Sequence, residues 1–219
     1  MPVGLDDAEI LNNQVLNALT TMSHLHSEIQ AWIRVLREAQ TIRPRPFSMR
    51  DPRWYAARLG TSNQTIGLAG CLITSIASML CDIGYETTPA AFNDWLVANG
   101  GYASGNEFVW ASIEKLGAKV VNDIEYSVGH PTDEEIAFLR SFMRNGYHII
   151  VKVDIDLATR KVDQHYVRLL AIDENNANAD IMDPWPRPDE GNLIRLCPRY
   201  GKTLKYALWR AVIYSAAGA

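Results

Sequence analysis

Cysteine is scarce in this chain: its 219 residues include only Cys71, Cys81 and Cys197. Cys71 and Cys81 lie ten positions apart in what reads as one helix. At the standard helical rise that is about 15 Å, too far for a disulfide. An odd, sparse set without Cys-x-x-Cys spacing argues against a disulfide framework and against a zinc site, and no metal or organic cofactor is expected. One reactive thiol beside two structural ones fits the count better. A basic excess is missing as well. The 21 Lys and Arg face 25 Asp and Glu, a net charge of −4, which gives no electrostatic case for nucleic acid. No apolar run approaches the length of a membrane span. The acidic start, Met1 to Asp7, lacks the basic-then-apolar order of a secretory signal, so synthesis in a cytoplasm is expected. There is no internal repeat and no low-complexity tract. Hydrophobic residues, at 47%, suffice for the core of one ordinary domain plus an appendage.

The stretch Gly67-Leu68-Ala69-Gly70-Cys71-Leu72-Ile73-Thr74-Ser75-Ile76-Ala77-Ser78-Met79-Leu80 organises the rest. A glycine-punctuated loop, Thr65 to Gly70, delivers Cys71 to a segment in which Ile73, Ile76, Ala77 and Leu80 recur at helical spacing. Cys71 then stands at a helix N-terminus, where unpaired N–H groups and the helix dipole favour a thiolate, the nucleophilic form. Gly70 would allow close approach of a substrate backbone. A small buried cysteine capping a core helix is the alternative on this stretch alone.

Residues 1–41 read as an amphipathic, coiled-coil helix. Val15, Met22, Ile29 and Leu36 take the a positions of a heptad, and Leu11, Ala18, Leu25 and Trp32 the d positions. Leu16, Leu19 and Ile33 widen the stripe, so self-association and docking on the chain's own globular part both fit. The Pro/Arg segment 42–46 reads as a stiff linker, and 47–219 as the globular domain. Within it a short helix is expected from Asp51 to Leu59, then the Cys71 helix to about Asp82. Further helices are expected from Thr88, from Glu107 to Leu116, and from Thr132 to Arg144, the last with a Thr132/Glu135 capping box. Strands follow at His148–Val153, His165–Ile172, Asp180–Met182 and Leu193–Cys197, with Asn175–Asn178 as a turn and Leu208–Tyr214 as helix or strand. Helices first and an antiparallel sheet afterwards make the fold class α+β.

A nucleophilic thiol needs a base, and the base an orienting group. Of the five histidines, His165 is the best placed, because one hairpin returns the chain from it to Asp183. Asp183 precedes Pro184-Trp185, where proline stiffens the backbone, and an aspartate there can hold the imidazole in the tautomer that accepts the thiol proton.

The motifs Asp51-Pro52-Arg53-Trp54, Gly70-Cys71-Leu72-Ile73-Thr74-Ser75, Thr88-Pro89 with Asn93-Asp94-Trp95-Leu96, Gln164-His165-Tyr166-Val167 and Asp180-Ile181-Met182-Asp183-Pro184-Trp185 occur in that order. Over Phe47 to Tyr214 the chain resembles the papain-like cysteine peptidases related to bacteriocin-leader (double-glycine) peptidases. The resemblance implies a papain-like fold with Cys71 as nucleophile, His165 as base and Asp183 as orienter. It also implies an oxyanion-hole glutamine upstream of the cysteine, for which Gln64 is the candidate. Six residues separate Gln64 from Cys71 where the family has five, and Met49-Arg50 stands where many relatives carry a glutamine before Asp-Pro-x-Trp. Single-domain relatives look like phage and bacterial cell-wall peptidases. The expected function is therefore a cysteine peptidase or amidase acting on peptide bonds of bacterial peptidoglycan. It would be virion-associated (a tail component) or released at lysis, and held in a homo-oligomer or larger assembly by its N-terminal helix. The alternative is a papain-like domain kept as a structural tail or adaptor protein. A leader-processing peptidase is less well matched, since no transporter part accompanies it.

Overall fold

The computed structural model describes residues 5–39, 44–126, 130–155, 158 and 164–216, with side chains of the first helix described over residues 10–32. The chain divides into two compact units, Met1–Ile42 and Arg43–Ala219.

The first unit is one helix, α1 (Leu5–Ala39). Its heptad seam is solvated: Leu11, Val15, Met22, Leu25, Ile29 and Trp32 are all exposed, by 49% to 68%. The side chain of Leu36 and linker residues 42 and 43 lie outside the described residues. Arg45 is held in the second unit by an ion pair to Glu86 at 2.6 Å.

The second unit is α+β. Its six strands are β1 (Ala118–Glu125), β2 (His148–Asp154), β3 (Gln164–Ile172), β4 (Ala179–Met182), β5 (Leu193–Arg195) and β6 (Arg210–Ala216). They form one sheet in the order β1-β6-β2-β3-β4-β5, antiparallel at every pairing. Helices α3 (Cys71–Asp82) and α4 (Pro89–Asn99) cover one face, where Ile76, Leu80, Phe92 and Leu96 pack with Ile150, Val212 and Tyr214. Helix α5 (Asp133–Arg144) and the segment after β5 cover the other, where Ile136, Leu139, Leu196 and Tyr200 meet Val151, Val167 and Ile213. Strand β2 is buried on both sides, which is why it reads as an almost unbroken apolar run.

Helix ends follow the sequence where capping chemistry sets them. The Thr88 hydroxyl accepts from the Ala91 N–H at 3.2 Å, and Thr132 with Glu135 makes the full capping box. Elsewhere the structure corrects the expectation. Asp51–Leu59 is a run of turns, because the carbonyls of Tyr55 and Ala57 accept from Gly67 and Ile66 instead of continuing a helix. The loop before Cys71 contains a one-turn helix, α2 (Ile66–Ala69). Residues 107–109 are held extended by the Tyr102–Phe108 bridge and the Val109 N–H to Gly101 bond, so only a 3₁₀ helix, Trp110–Leu116, follows. Strand β1 precedes α5, so helices and sheet are not segregated along the chain. Leu208–Tyr214 resolves into the end of a short helix, α6 (Leu204–Ala207), and strand β6. Among the described residues, no helix is long and apolar enough to cross a membrane.

Candidate active site

Cys71 is the first residue of α3, and Gly70 is at once the end of α2 and the cap of α3. A Cβ on Gly70 would lie 2.5 Å from the Ile66 carbonyl oxygen, so glycine is required by the tight joint between the two helices. That reason differs from the substrate approach inferred above. The first turn of α3 has no acidic residue and no side-chain cap, which leaves its N-terminal field unneutralised at the sulfur.

The same helix docks on β3 through a polar stripe. Cys71, Ser75, Ser78 and Asp82 follow one another by four, three and four positions, one face of a helix. Ser75 donates to the Tyr166 carbonyl at 3.1 Å, and Arg168 donates to Ser78 at 3.2 Å while pairing with Asp82 at 2.5 Å. Arg168 is 1% exposed, and the Asp82 contact is close in distance but poorly aligned as a hydrogen bond. These contacts fix where Cys71 stands relative to His165, the residue before Tyr166.

His165 and Asp183 are both fully buried, with Nε2 of the imidazole 2.9 Å from Asp183 Oδ1. The β3–β4 ladder ends with Arg168 paired to Met182, so Asp183 leaves β4 close to the start of β3, where His165 stands. With Nε2 taken by the carboxylate, Nδ1 is the ring nitrogen left for the thiol, and Cys71 and His165 act on each other electrostatically. Burial pushes the Cys71 thiol up, but the hydrogen bond and charge of His165, aided by backbone bonds from Tyr166 and Leu72, hold it below its ordinary value. Burial pushes His165 down, yet its bonds to Asp183 and Cys71 raise it to about 9. The other two thiols go the opposite way: burial raises Cys81, and raises Cys197 to about 11. The arrangement can hold a thiolate–imidazolium pair.

Asp183 has partners that the sequence did not disclose. Oδ1 also accepts from the Trp185 N–H at 2.8 Å, and Oδ2 accepts from the Tyr200 hydroxyl at 2.6 Å and faces Arg199 Nε at 3.2 Å. The Trp185 indole stands edge-on to the imidazole at 6.2 Å, and the Arg50 guanidinium lies over that indole at 4.3 Å.

Cys71 is partly exposed and, with His165, lines a cleft of about 440 Å³ whose other walls include Gln64, Trp110, Trp185 and Arg210. Gln64 is brought to the cleft, with its Oε1 accepting from Asn106 at 3.1 Å, so Nε2 is the donor end left over. Met49 fills the position ahead of the Asp-Pro-x-Trp turn as a buried apolar side chain with no donor to offer. Trp54 is a core residue, its indole N–H bonded to the Ser48 carbonyl at 2.7 Å, whereas Trp110 and Trp185 both face the cleft. Among the described residues, no group of three His, Cys, Asp or Glu side chains is placed to hold a metal ion. No protein-family profile matches this chain, and no curated protein matches it either.

Proposed function

We propose that the chain is a thiol hydrolase of the papain-like type, cleaving a peptide or amide bond. The observation that carries the reading is the fully buried His165–Asp183 pair set against a partly exposed thiol at a helix N-terminus, with thiol and imidazole shifted in opposite senses. Cys71 Sγ attacks the substrate carbonyl carbon, and the tetrahedral oxyanion is held by the Cys71 N–H and by Gln64 Nε2. His165 passes its Nδ1 proton to the amine as the C–N bond breaks, leaving a thioester. Water, deprotonated by the same nitrogen, then displaces the thiolate and releases the acid.

Peptide stems or cross-bridges of bacterial peptidoglycan are the substrate class we infer, on the motif resemblance described above. The solvated heptad stripe of α1 supports a homo-oligomeric or assembly-bound protein, such as a virion tail component. That exposed stripe also favours the second reading, a papain-like domain kept for assembly with catalysis lost.

Alkylation of Cys71 by iodoacetamide, followed by peptide mass spectrometry across pH in wild type and His165→Ala, separates the two. Fast labelling that persists well below pH 8 and slows without His165 is expected of the hydrolase. A thiol that titrates in the ordinary range and ignores His165 would leave the assembly reading alone.

A further inference from the structure

A carboxylate has about four sites for accepting hydrogen bonds, and Asp183, although 0% exposed, fills three of them with hydrogen bonds and has a guanidinium in ion-pair distance beside the fourth. Oδ1 carries the imidazole and the Trp185 N–H, and Oδ2 carries the Tyr200 hydroxyl and the Arg199 guanidinium. The last two come from consecutive residues and meet the oxygen that His165 does not use. Neither is free to turn elsewhere. Arg199 is bonded to Glu190 at 2.7 Å and to the Trp185 carbonyl, and the buried Tyr200 ring lies 5.5 Å from the imidazole ring.

We propose that Tyr200 and Arg199 are positioning residues for the thiol–imidazole pair, acting through Asp183: they hold its carboxylate in place in a dry site and fix the oxygen that faces His165. The inference rests on the thiol hydrolase reading and deepens it by extending the working unit from three side chains to five. Without these donors, a fully buried carboxylate would be left with an unpaired oxygen, and the oxygen that faces the imidazole would no longer be fixed. The Arg199 charge also balances the carboxylate, so that its pull on the imidazole proton stays moderate enough for His165 to release it to a leaving amine.

The direction of the effect follows from charge. Removing a donor or a cation from Asp183 makes the whole assembly more basic, so both proton uptake at low pH and proton loss at high pH move to higher pH. The experiment is the pH profile of Cys71 alkylation by iodoacetate in wild type, Tyr200→Phe, Arg199→Met and Arg199→Lys. An anionic reagent reads both limbs, because it needs the thiolate to react and the imidazolium to attract it. Wild type is expected to give a bell. Tyr200→Phe should shift its limbs up by about half a pH unit and Arg199→Met by about one, with Arg199→Lys restoring most of the shift. A merely structural role would change the height of the bell or the melting temperature and leave the limbs in place, and that result overturns the inference while the hydrolase reading stands. A wild-type profile without a bell overturns both. Should Tyr200→Phe fail to fold, the comparison of Arg199→Met with Arg199→Lys, at a side chain nearer the surface, decides the matter.

Discussion

Gln64 touches none of the three site residues through hydrogen bonds, yet its amide stands in the cleft with the nitrogen end unused by Asn106. A donor that acts only on the developing oxyanion has no influence on the resting thiol. Gln64→Ala should therefore lower kcat on a cleavable peptide by about 100- to 1,000-fold while leaving the iodoacetamide rate at Cys71 unchanged. Equal turnover in the two proteins would assign the oxyanion to backbone groups alone. The residues that carry the reading were legible to different degrees. Cys71, His165 and Asp183 each sit in a local pattern that a sequence displays: a helix start, a strand start and a proline-stiffened turn. Tyr200 and Arg199 do not. They lie 17 and 16 positions after Asp183 in an irregular segment, and only the folded chain shows that they close on its carboxylate. The polar stripe Ser75–Ser78–Asp82 was there to be read, as the i, i+3, i+7 complement of an otherwise apolar helix, and its buried partner Arg168 stands in the middle of a strand.

Elements were recovered where local chemistry fixes their limits. Thr88, Thr132 and the left-handed Gly100 bound α4 and α5 within a residue of expectation. Strand β1 was missed because it is an edge strand with an irregularity. The pairing with β6 shifts between Val120 and Asn122. Although burial alternates throughout, the apolar Val121 is on the exposed side and the polar Asn122 on the inner one, so the residue types do not betray the strand. The segment before Trp110 was misread as helix for a different reason, since tertiary hydrogen bonds to Gly101 outweigh its local preference. Helix α1 poses the prediction of this scale. It is 35 residues long, about 52 Å at the standard rise, and it carries seven seam residues from Leu11 to Trp32 facing water. Pairing two such helices would bury roughly 800 Å² on each, the size of an ordinary stable interface. Sedimentation equilibrium of the full chain at tens of micromolar should give an oligomer, and Met22→Glu with Ile29→Glu should return it to a monomer. A wild-type monomer under those conditions would remove the case for assembly through α1.

At the scale of the whole molecule, the cluster that locks α3 to the sheet also ties folding to pH. His148, at the start of β2, is 8% exposed, and its Nδ1 faces the Arg168 guanidinium at 3.2 Å. Arg168 can only donate, so Nδ1 must accept, and a proton on that nitrogen would both remove the bond and set two cations together. Burial, with the Arg168 charge, holds the His148 pKa down at about 4 against an ordinary 6.5. The other charged group of the cluster is Asp82, paired with the same guanidinium and itself raised by burial. Above pH 6.5 His148 is neutral in both the folded and the unfolded chain, and it adds no pH dependence. Between 6.5 and 4 the unfolded chain binds a proton that the folded one refuses, so stability is lost progressively as the pH falls through that window. The full loss is on the order of 3 kcal/mol. His165 is shifted the other way and contributes little slope there, because below 6.5 it is protonated in both states; its contribution is lost instead as the pH rises toward 9. Urea unfolding at intervals from pH 7 to 4.5 should therefore show a steep decline in the wild type. In His148→Gln, whose amide oxygen still accepts from Arg168 but cannot be protonated in that range, the decline should be shallower. Parallel curves for the two proteins would mean that acid sensitivity arises in the carboxylates, and that the cluster beneath α3 is held together independently of the charge on His148.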